Sequence, residues 1–370
     1  MNENIFRILG VQTREDCISN MLAYVFNSSR KFQHEFLSKI CKSNTDFDKC
    51  KAYTRISTGE TSIPDIVIVC NSSKKTELII LENKLKADEG KDQTEKYASD
   101  ETINVLHQKL CSQVKMEDIH PKFIFLTLFP DQKPLSSKFR TVTHKELLSL
   151  RGKSSESNLA DQLLNHWLDL IELFYKKSQI DEGDIVLEKL QDEDGLDGSY
   201  LYFRAFLSKL ALPNDLKNEG FFRASQQGRR YYGAIFSKDS WHPSEMEENH
   251  GSWTLDPEKV FNIHFEPQFN VLSGIFNIYL HYEVNPYETL TWVRNNIPKT
   301  QYEKYISRRE KFVQLLIETG IKKWEFGGGS NQIAKVQLDF NNLSVREALN
   351  KIEEIFGETS KAIDSILAKL

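Results

Sequence analysis

The sequence predicts an α/β domain, a mixed central sheet flanked by helices, followed by a second domain of α+β type. The first observation behind this is a pair of apolar runs, Ile63-Pro64-Asp65-Ile66-Val67-Ile68-Val69 and Glu77-Leu78-Ile79-Ile80-Leu81-Glu82-Asn83-Lys84. Polar turn formers at Asn71 to Lys75 separate them, so the pair reads as a β-hairpin. The second is Lys122-Phe123-Ile124-Phe125-Leu126-Thr127-Leu128-Phe129, an apolar run of strand length stopped by Pro130-Asp131. A strand buried on both faces belongs in the middle of a sheet with helical cover. The third is the helical sequence between hairpin and strand, which makes the connection a right-handed crossover to a parallel neighbour.

Thr13 followed by Asp16 marks a helix start, after which Ile18, Met21, Leu22, Val25 and Phe26 recur at helical spacing. At about 100° per residue, Glu15 falls inside the apolar arc and Asp16 on the opposite side. Phe32 to Cys41 continues as a second helical segment, with His34 solvated or packed, and Lys51 to Ser57 leads as a strand into the hairpin. Arg55 and Glu60 lie close by in sequence and receive no chemistry. Beyond the hairpin, Lys86 to Lys96 is strongly charged and opens a helix anchored by Ile103, Val105, Leu106 and Leu110. An exposed face explains Lys86, Lys91 and Lys96 more simply than phosphate contact does. Arg140 to Thr143 adds a strand, a helix begins near His144, and Asn158 to Lys177 is amphipathic through Leu164, Trp167, Ile171 and Phe174.

Alternate strand residues share a face, so Glu82 and Lys84 project together while Asn83 points the other way. Charges on oily strands need partners, because an isolated buried charge is costly. Two carboxylates brought together by a hairpin repel, and a divalent cation with oxygen preference relieves the repulsion. Asp65 and Glu82 are therefore candidate ligands for Mg²⁺, with Mn²⁺ as a substitute and the Asn83 carbonyl as a third ligand. Lys84 is placed to orient a water and to offset charge building on a phosphate. The plainer alternative is a surface hairpin with an ordinary Asp65 to Lys84 ion pair.

Pro64-Asp65, a gap, then Glu82-Asn83-Lys84 resembles the signature of the PD-(D/E)XK nuclease superfamily. Gln93-Thr94-Glu95-Lys96-Tyr97 resembles the QxxxY helix motif of the branch related to RecB and Cas4 nucleases. The resemblance covers roughly the first half of the chain. It implies a restriction-endonuclease-like core in the order helix, three strands, helix, strand. It also implies metal-dependent hydrolysis of phosphodiester bonds, in DNA ahead of RNA, and a further glutamate from the first helix that helps to hold metal. Glu15 matches that position, unless it only favours the positive end of its helix. The catalytic set is then Asp65, Glu82, Lys84 and Glu15, and the metal set Asp65, Glu82, Asn83 and Glu15. Gln93 and Tyr97, four apart, share a helix face. They steady the site or meet nucleic acid, or else simply dock the helix on the sheet. The same resemblance implies a prokaryotic setting, in antiviral defence or mobile elements. A catalytically silent nucleic-acid-binding or scaffold protein that kept the fold is the alternative.

At 370 residues two domains are expected. Acidic, glycine-containing sequence from Asp181 to Gly198 divides a nuclease-like domain, 1–185, from a domain of unknown role, 186–370, serving substrate binding, regulation or oligomerisation. Hydrophobic content of 39% with 27% charged residues excludes a disordered chain. No apolar run has the length to cross a bilayer, and Met1-Asn2-Glu3-Asn4 carries no leader, so a cytoplasmic protein is expected. Five cysteines without CxxC spacing suggest neither a disulfide framework nor a zinc knuckle. A net charge of −5 argues against a general polyanion binder, but a basic groove can sit on an acidic molecule. The expected partners are nucleic acid, no membrane, and a second copy or a regulatory protein through the second domain.

Three features of the second half invite chemistry. Phe222-Arg223 with Gly228-Arg229-Arg230-Tyr231-Tyr232-Gly233 mixes basic and aromatic residues and reads as a basic hairpin tip ahead of a base-stacking surface. Asn262-Ile263-His264-Phe265-Glu266 and Tyr279-Leu280-His281-Tyr282-Glu283 each put His and Glu on one strand face. A solvated sheet face is the expectation there, and a metal or polar-ligand site the alternative. Gly327-Gly328-Gly329-Ser330 lacks the lysine of a phosphate loop and reads as a turn. Ser344 with Glu347 forms a capping-box pattern that starts the last helix.

Overall fold

A computed structural model describes residues 4–43, 47–59, 63–73, 75–85, 89–152, 159–190, 198–213, 215–226, 229–249, 251–321, 323–327 and 331–370. The chain divides into two compact units, Met1–Lys176 and Lys177–Leu370.

The first unit opens with a short helix, α1 (Ile5–Ile8), capped by the Asn4 side chain, which accepts from Phe6 N. Helix α2 (Glu15–Ser28) follows, and its periodic residues Ile18, Met21, Leu22, Val25 and Phe26 are all buried. Its N-cap is Arg14, without a side-chain cap; Thr13 does not take that place. Helix α3 (Arg30–Glu35) runs on into a π-helical turn, Phe36–Ile40. Strands β1 (Lys49–Thr54), β2 (Ile66–Asn71) and β3 (Thr76–Lys84) pair antiparallel, with Ile66 opposite Leu81.

The single helix expected after the hairpin is two. Helix α4 (Gln93–Tyr97) stops at Ala98, and α5 (Asp100–Leu110) restarts where the Ser99 side chain accepts from Thr102 N. A serine that caps the next helix offers the backbone a local alternative to continuing the last one. Lys86 lies outside the described residues. Strand β4 (Ile119–Thr127) then returns parallel to β3, and β5 (Arg140–Thr143) lies parallel to β4, giving the order β1-β2-β3-β4-β5. A 3₁₀ turn at His144–Leu150 and helix α6 (Leu159–Lys177) complete the unit.

β3 is the central strand and is buried along its whole length. One sheet face carries Val67, Val69, Leu78, Ile80 and Phe125 against Tyr97, Ile103 and Leu106 of α4 and α5. Its alternate residues Ile79, Leu81 and Asn83 face the other way, and there Asn83 meets Ser19 of α2. This mixed α/β sheet with helical cover is a restriction-endonuclease-like core.

In the second unit, helices α7 (Val186–Leu190) and α8 (Gly198–Leu207) precede β6 (Lys217–Gln226) and β7 (Arg229–Ser237). A small hairpin, β8 (Glu247–Asn249) and β9 (Ser252–Thr254), leads to β10 (Asn262–Asn270) and β11 (Phe276–Glu283). Helices α9 (Leu290–Asn296) and α10 (Lys299–Glu318) are followed by β12 (Glu325–Phe326), β13 (Gln332–Leu338) and α11 (Val345–Leu367). All six long-sheet strands pair antiparallel in the order β12-β13-β11-β10-β7-β6. Phe356 of α11 stacks on Phe265 of β10 at 4.5 Å, which seats the helix on one sheet face. The Ser344 and Glu347 capping box closes as expected. Gly233 is required by packing, because a Cβ there would come within 2.1 Å of the Phe222 ring. Arg223 is spent on the Tyr200 ring, 4.9 Å from its centroid. Gly228 and the turn residues Gly328, Gly329 and Ser330 lie outside the described residues.

The His and Glu strands do pair, with His264 directly opposite His281. Their shared face is solvated only in part: His264 is 3% and Glu283 5% exposed, while His281 and Glu266 are half-buried. No helix among the described residues is long and apolar enough to cross a membrane, and all five cysteines are free.

Candidate active site

Asp65 immediately precedes β2, and Glu82 to Lys84 end β3, so the hairpin register sets Asp65 beside Glu82. The Asn83 N–H donates to Asp65 Oδ2 at 2.8 Å, which ties the first acid to the end of the strand that carries the second. Alternation does the rest. Glu82 and Lys84 share a face, and Lys84 Nζ stands 2.6 Å from Glu82 Oε1.

The local chemistry is strained by like charge. Burial, with the neighbouring Asp65 charge added, pushes the Glu82 carboxyl far above the usual carboxylate range. Burial raises Asp65 as well, with Glu15 contributing repulsion. The two carboxyls are close enough to share one proton. As two carboxylates they leave Glu82 Oε2 buried with no hydrogen-bond donor among the described residues. An orphaned, buried anionic oxygen beside a second carboxylate suits a small hard cation. Burial alone would push the Lys84 ammonium down, but the attraction of Glu82, with Glu15 and Asp65 adding to it, makes the net shift upward. Lys84 is therefore a cation at neutral pH.

Glu15 reaches the end of β3 from the start of α2 and accepts from Leu85 N through Oε1 at 2.9 Å. Asp16 points away, as the helical angle requires, and pairs with Arg55 at 2.8 Å. Among the described residues Glu15 does not close with Asp65 and Glu82 into a set whose donors all lie within 4.8 Å of one another. Its influence on both is electrostatic.

Asn83 points across the sheet. Its Nδ2 donates to Ser19 Oγ at 3.0 Å and its Oδ1 accepts from His144 Nε2 at 2.8 Å. Burial holds His144 down to about 3, so the ring is neutral and its Nε2 carries the proton. With the side-chain oxygen taken, the main-chain carbonyl is the Asn83 oxygen left for a cation. Sequence reasoning missed both partners. Ser19 was legible in principle, four residues after Glu15 on one helix face. His144 carried no signal, being 61 residues from the asparagine it fixes.

Gln93 of α4 donates through Nε2 to Glu82 Oε1 at 2.7 Å and to Tyr97 OH at 2.9 Å. Tyr97 OH in turn donates to the Ile63 carbonyl at 2.9 Å, two residues before Asp65. The two side chains thus lace the strand of Glu82 to the segment of Asp65. Orienting partners of this kind are worth about 10–100-fold in metal affinity or activity. Gln93→Ala is expected to lose that much, and Tyr97→Phe, which keeps the ring, less. Divalent-ion titration of cleavage rate checks both.

Residues 3–171 match the family model of the PD-(D/E)XK nuclease superfamily. Neither a curated protein nor a solved structure matches the chain.

Proposed function

Residues 3–171 belong to the PD-(D/E)XK nuclease superfamily, and from that premise we propose that the chain hydrolyses phosphodiester bonds of DNA with Mg²⁺, Mn²⁺ substituting. The reading rests above all on one observation: the Asp65 and Glu82 carboxyls face each other with Glu82 Oε2 buried and unpartnered, while the Lys84 ammonium sits on Oε1. Asp65, Glu82 and the Asn83 main-chain carbonyl would hold the ion, with Glu15 adding negative charge. The ion, when bound, supplies charge to the phosphate and lowers the pKa of a nearby water.

The chain's own groups do the rest. Lys84, kept protonated by Glu82, offsets the charge that builds on the phosphoryl oxygens and orients the attacking water. It does not serve as a base. Gln93 fixes the Glu82 carboxylate, and Asn83 N–H fixes that of Asp65. Water adds at phosphorus, the bond to the leaving sugar oxygen breaks, and that oxygen takes up a proton. DNA is favoured over RNA by the resemblance of Gln93 to Tyr97 to the RecB and Cas4 branch, and anti-phage defence or mobile-element biology by the same resemblance. A cytoplasmic location goes with that setting.

The test is incubation of the full chain with linear, circular and single-stranded DNA and with RNA, with and without Mg²⁺ or Mn²⁺. DNA cleavage that EDTA stops is expected. Cleavage of RNA alone would overturn the substrate, and no cleavage of any substrate would leave a silent fold.

A further inference from the structure

The facing strands β10 and β11 place His264 opposite His281, with Glu266 and Glu283 on the same sheet face. The two imidazoles stack at 4.9 Å with an interplanar angle of 13°. Both turn the same edges toward the same acids. Glu283 lies at the Nδ1 edges, 3.8 Å from His264 Nδ1 and 3.8 Å from His281 Nδ1. Glu266 lies at the Nε2 edges, at 3.6 Å and 3.8 Å.

These separations are too long for hydrogen bonds. They are close to the distances between ligands that share an ion, about 3.3 Å for a tetrahedral site with bonds of 2.0–2.1 Å. One ligand atom from each of His264, His281 and Glu283 lies within 4.8 Å of the other two. His264 is 3% exposed, and its Nδ1 has no hydrogen-bond partner among the described residues. A buried imidazole nitrogen without a partner, aimed at a buried carboxylate, is an expensive arrangement unless something sits between them.

We propose that β10 and β11 are bridged by a divalent transition-metal ion of the zinc type, held by His264 Nδ1, His281 Nδ1 and the Glu283 carboxylate. Imidazole with carboxylate suits zinc and its neighbours better than magnesium or calcium, which prefer oxygen alone. Glu266 then takes the outer position, its carboxylate facing the Nε2 edges of both rings and favouring by charge the tautomer that keeps the proton there and leaves Nδ1 free to bind. Gln268 holds Glu266 in turn by donating to its Oε1. His264 and Glu283 are buried and His281 and Glu266 half-buried, and the ligands come from both strands, so the ion is a cross-link between the two central strands of the sheet. The proposal does not depend on the reading given for Asp65 and Glu82.

The test uses the full chain carrying Asp65→Asn, so that a cation at the nuclease site contributes little. After dialysis against Zn²⁺ and removal of free ion, one equivalent is expected to remain bound. His264→Ala and His281→Ala should each weaken binding by at least about 100-fold, and Glu266→Gln by about 10–100-fold. Should the alanine variants fail to fold, the Co²⁺-loaded chain with both histidines intact decides by proton NMR. Two paramagnetically shifted imidazole N–H signals are expected, one from each outer Nε2–H. Zinc retention unchanged by both alanine variants, no bound zinc, or no shifted imidazole signals would overturn the proposal.

Discussion

Asp65→Asn is expected to lower DNA cleavage by about 10³-fold or more and, with no divalent ion present, to raise the melting temperature at pH 8. The second half of that result separates a site built for an ion from an ordinary hairpin. Burial raises the Asp65 carboxyl to about 6 from its ordinary 3.8. A carboxylate whose folded pKa lies above its unfolded value costs stability, and the sign follows from proton uptake. Below about pH 4 both states are protonated and the cost is absent. It grows as pH rises through the folded pKa and is complete above it. Asparagine removes the charge, relieves Glu82 of its neighbour, and keeps an oxygen for the Asn83 N–H. The gain at pH 8 is on the order of 1 kcal/mol or somewhat more, a few degrees for a unit of this size. It should vanish toward pH 4. Saturating Mg²⁺ is expected to stabilise the native chain and not the variant, so that the gap between the two melting points narrows or reverses. A variant that melts lower than the native chain at pH 8 in EDTA, or that cleaves at full rate, would rule out the assignment.

What could be read in advance tracks how local the physics is. The hairpin and the side shared by Glu82 and Lys84 follow from a period of two over a few residues, and both appear. So does the inward turn of Glu15, which needs only the helical angle. The break between α4 and α5 was missed because a single cap at Ser99 outweighed a continuous helical pattern. The role of His144 was out of reach, since it depends on β5 delivering that residue beneath the sheet face that Asn83 occupies. The His and Glu quartet shows the other limit. Strand periodicity put the four on one face, but that His264 and Glu283 are buried there while His281 and Glu266 stay half-buried is set by the tertiary fold. Gln93 and Tyr97 fall between these cases. Their shared face was legible, whereas their bonds to Glu82 and to the Ile63 carbonyl needed the tertiary fold.

Lys84→Ala is expected to lose cleavage by about 10²–10³-fold even where the ion still binds, and to move the pH at which the ion binds upward. Lys84 Nζ and Glu82 Oε1 are 2.6 Å apart, with side chains 8% and 2% exposed. The ammonium is one of the forces that hold Glu82 down against burial and Asp65. Without it the carboxyl rises further, so a cation must displace a more tightly held proton and half-saturation with Mn²⁺ shifts to higher pH. Glu82 escapes as a neutral acid rather than remaining an unpaired buried charge, so the loss of stability near pH 7 stays well short of a broken buried ion pair. The decisive measurement is cleavage by the variant at pH 9 with excess Mn²⁺. If Lys84 acts on the phosphate and water, binding recovers there and cleavage does not. Lys84→Arg, which restores charge without the compact ammonium, should recover the pH of ion binding but only part of the rate. Full cleavage by Lys84→Ala at pH 9 would reduce the lysine to a device for tuning Glu82.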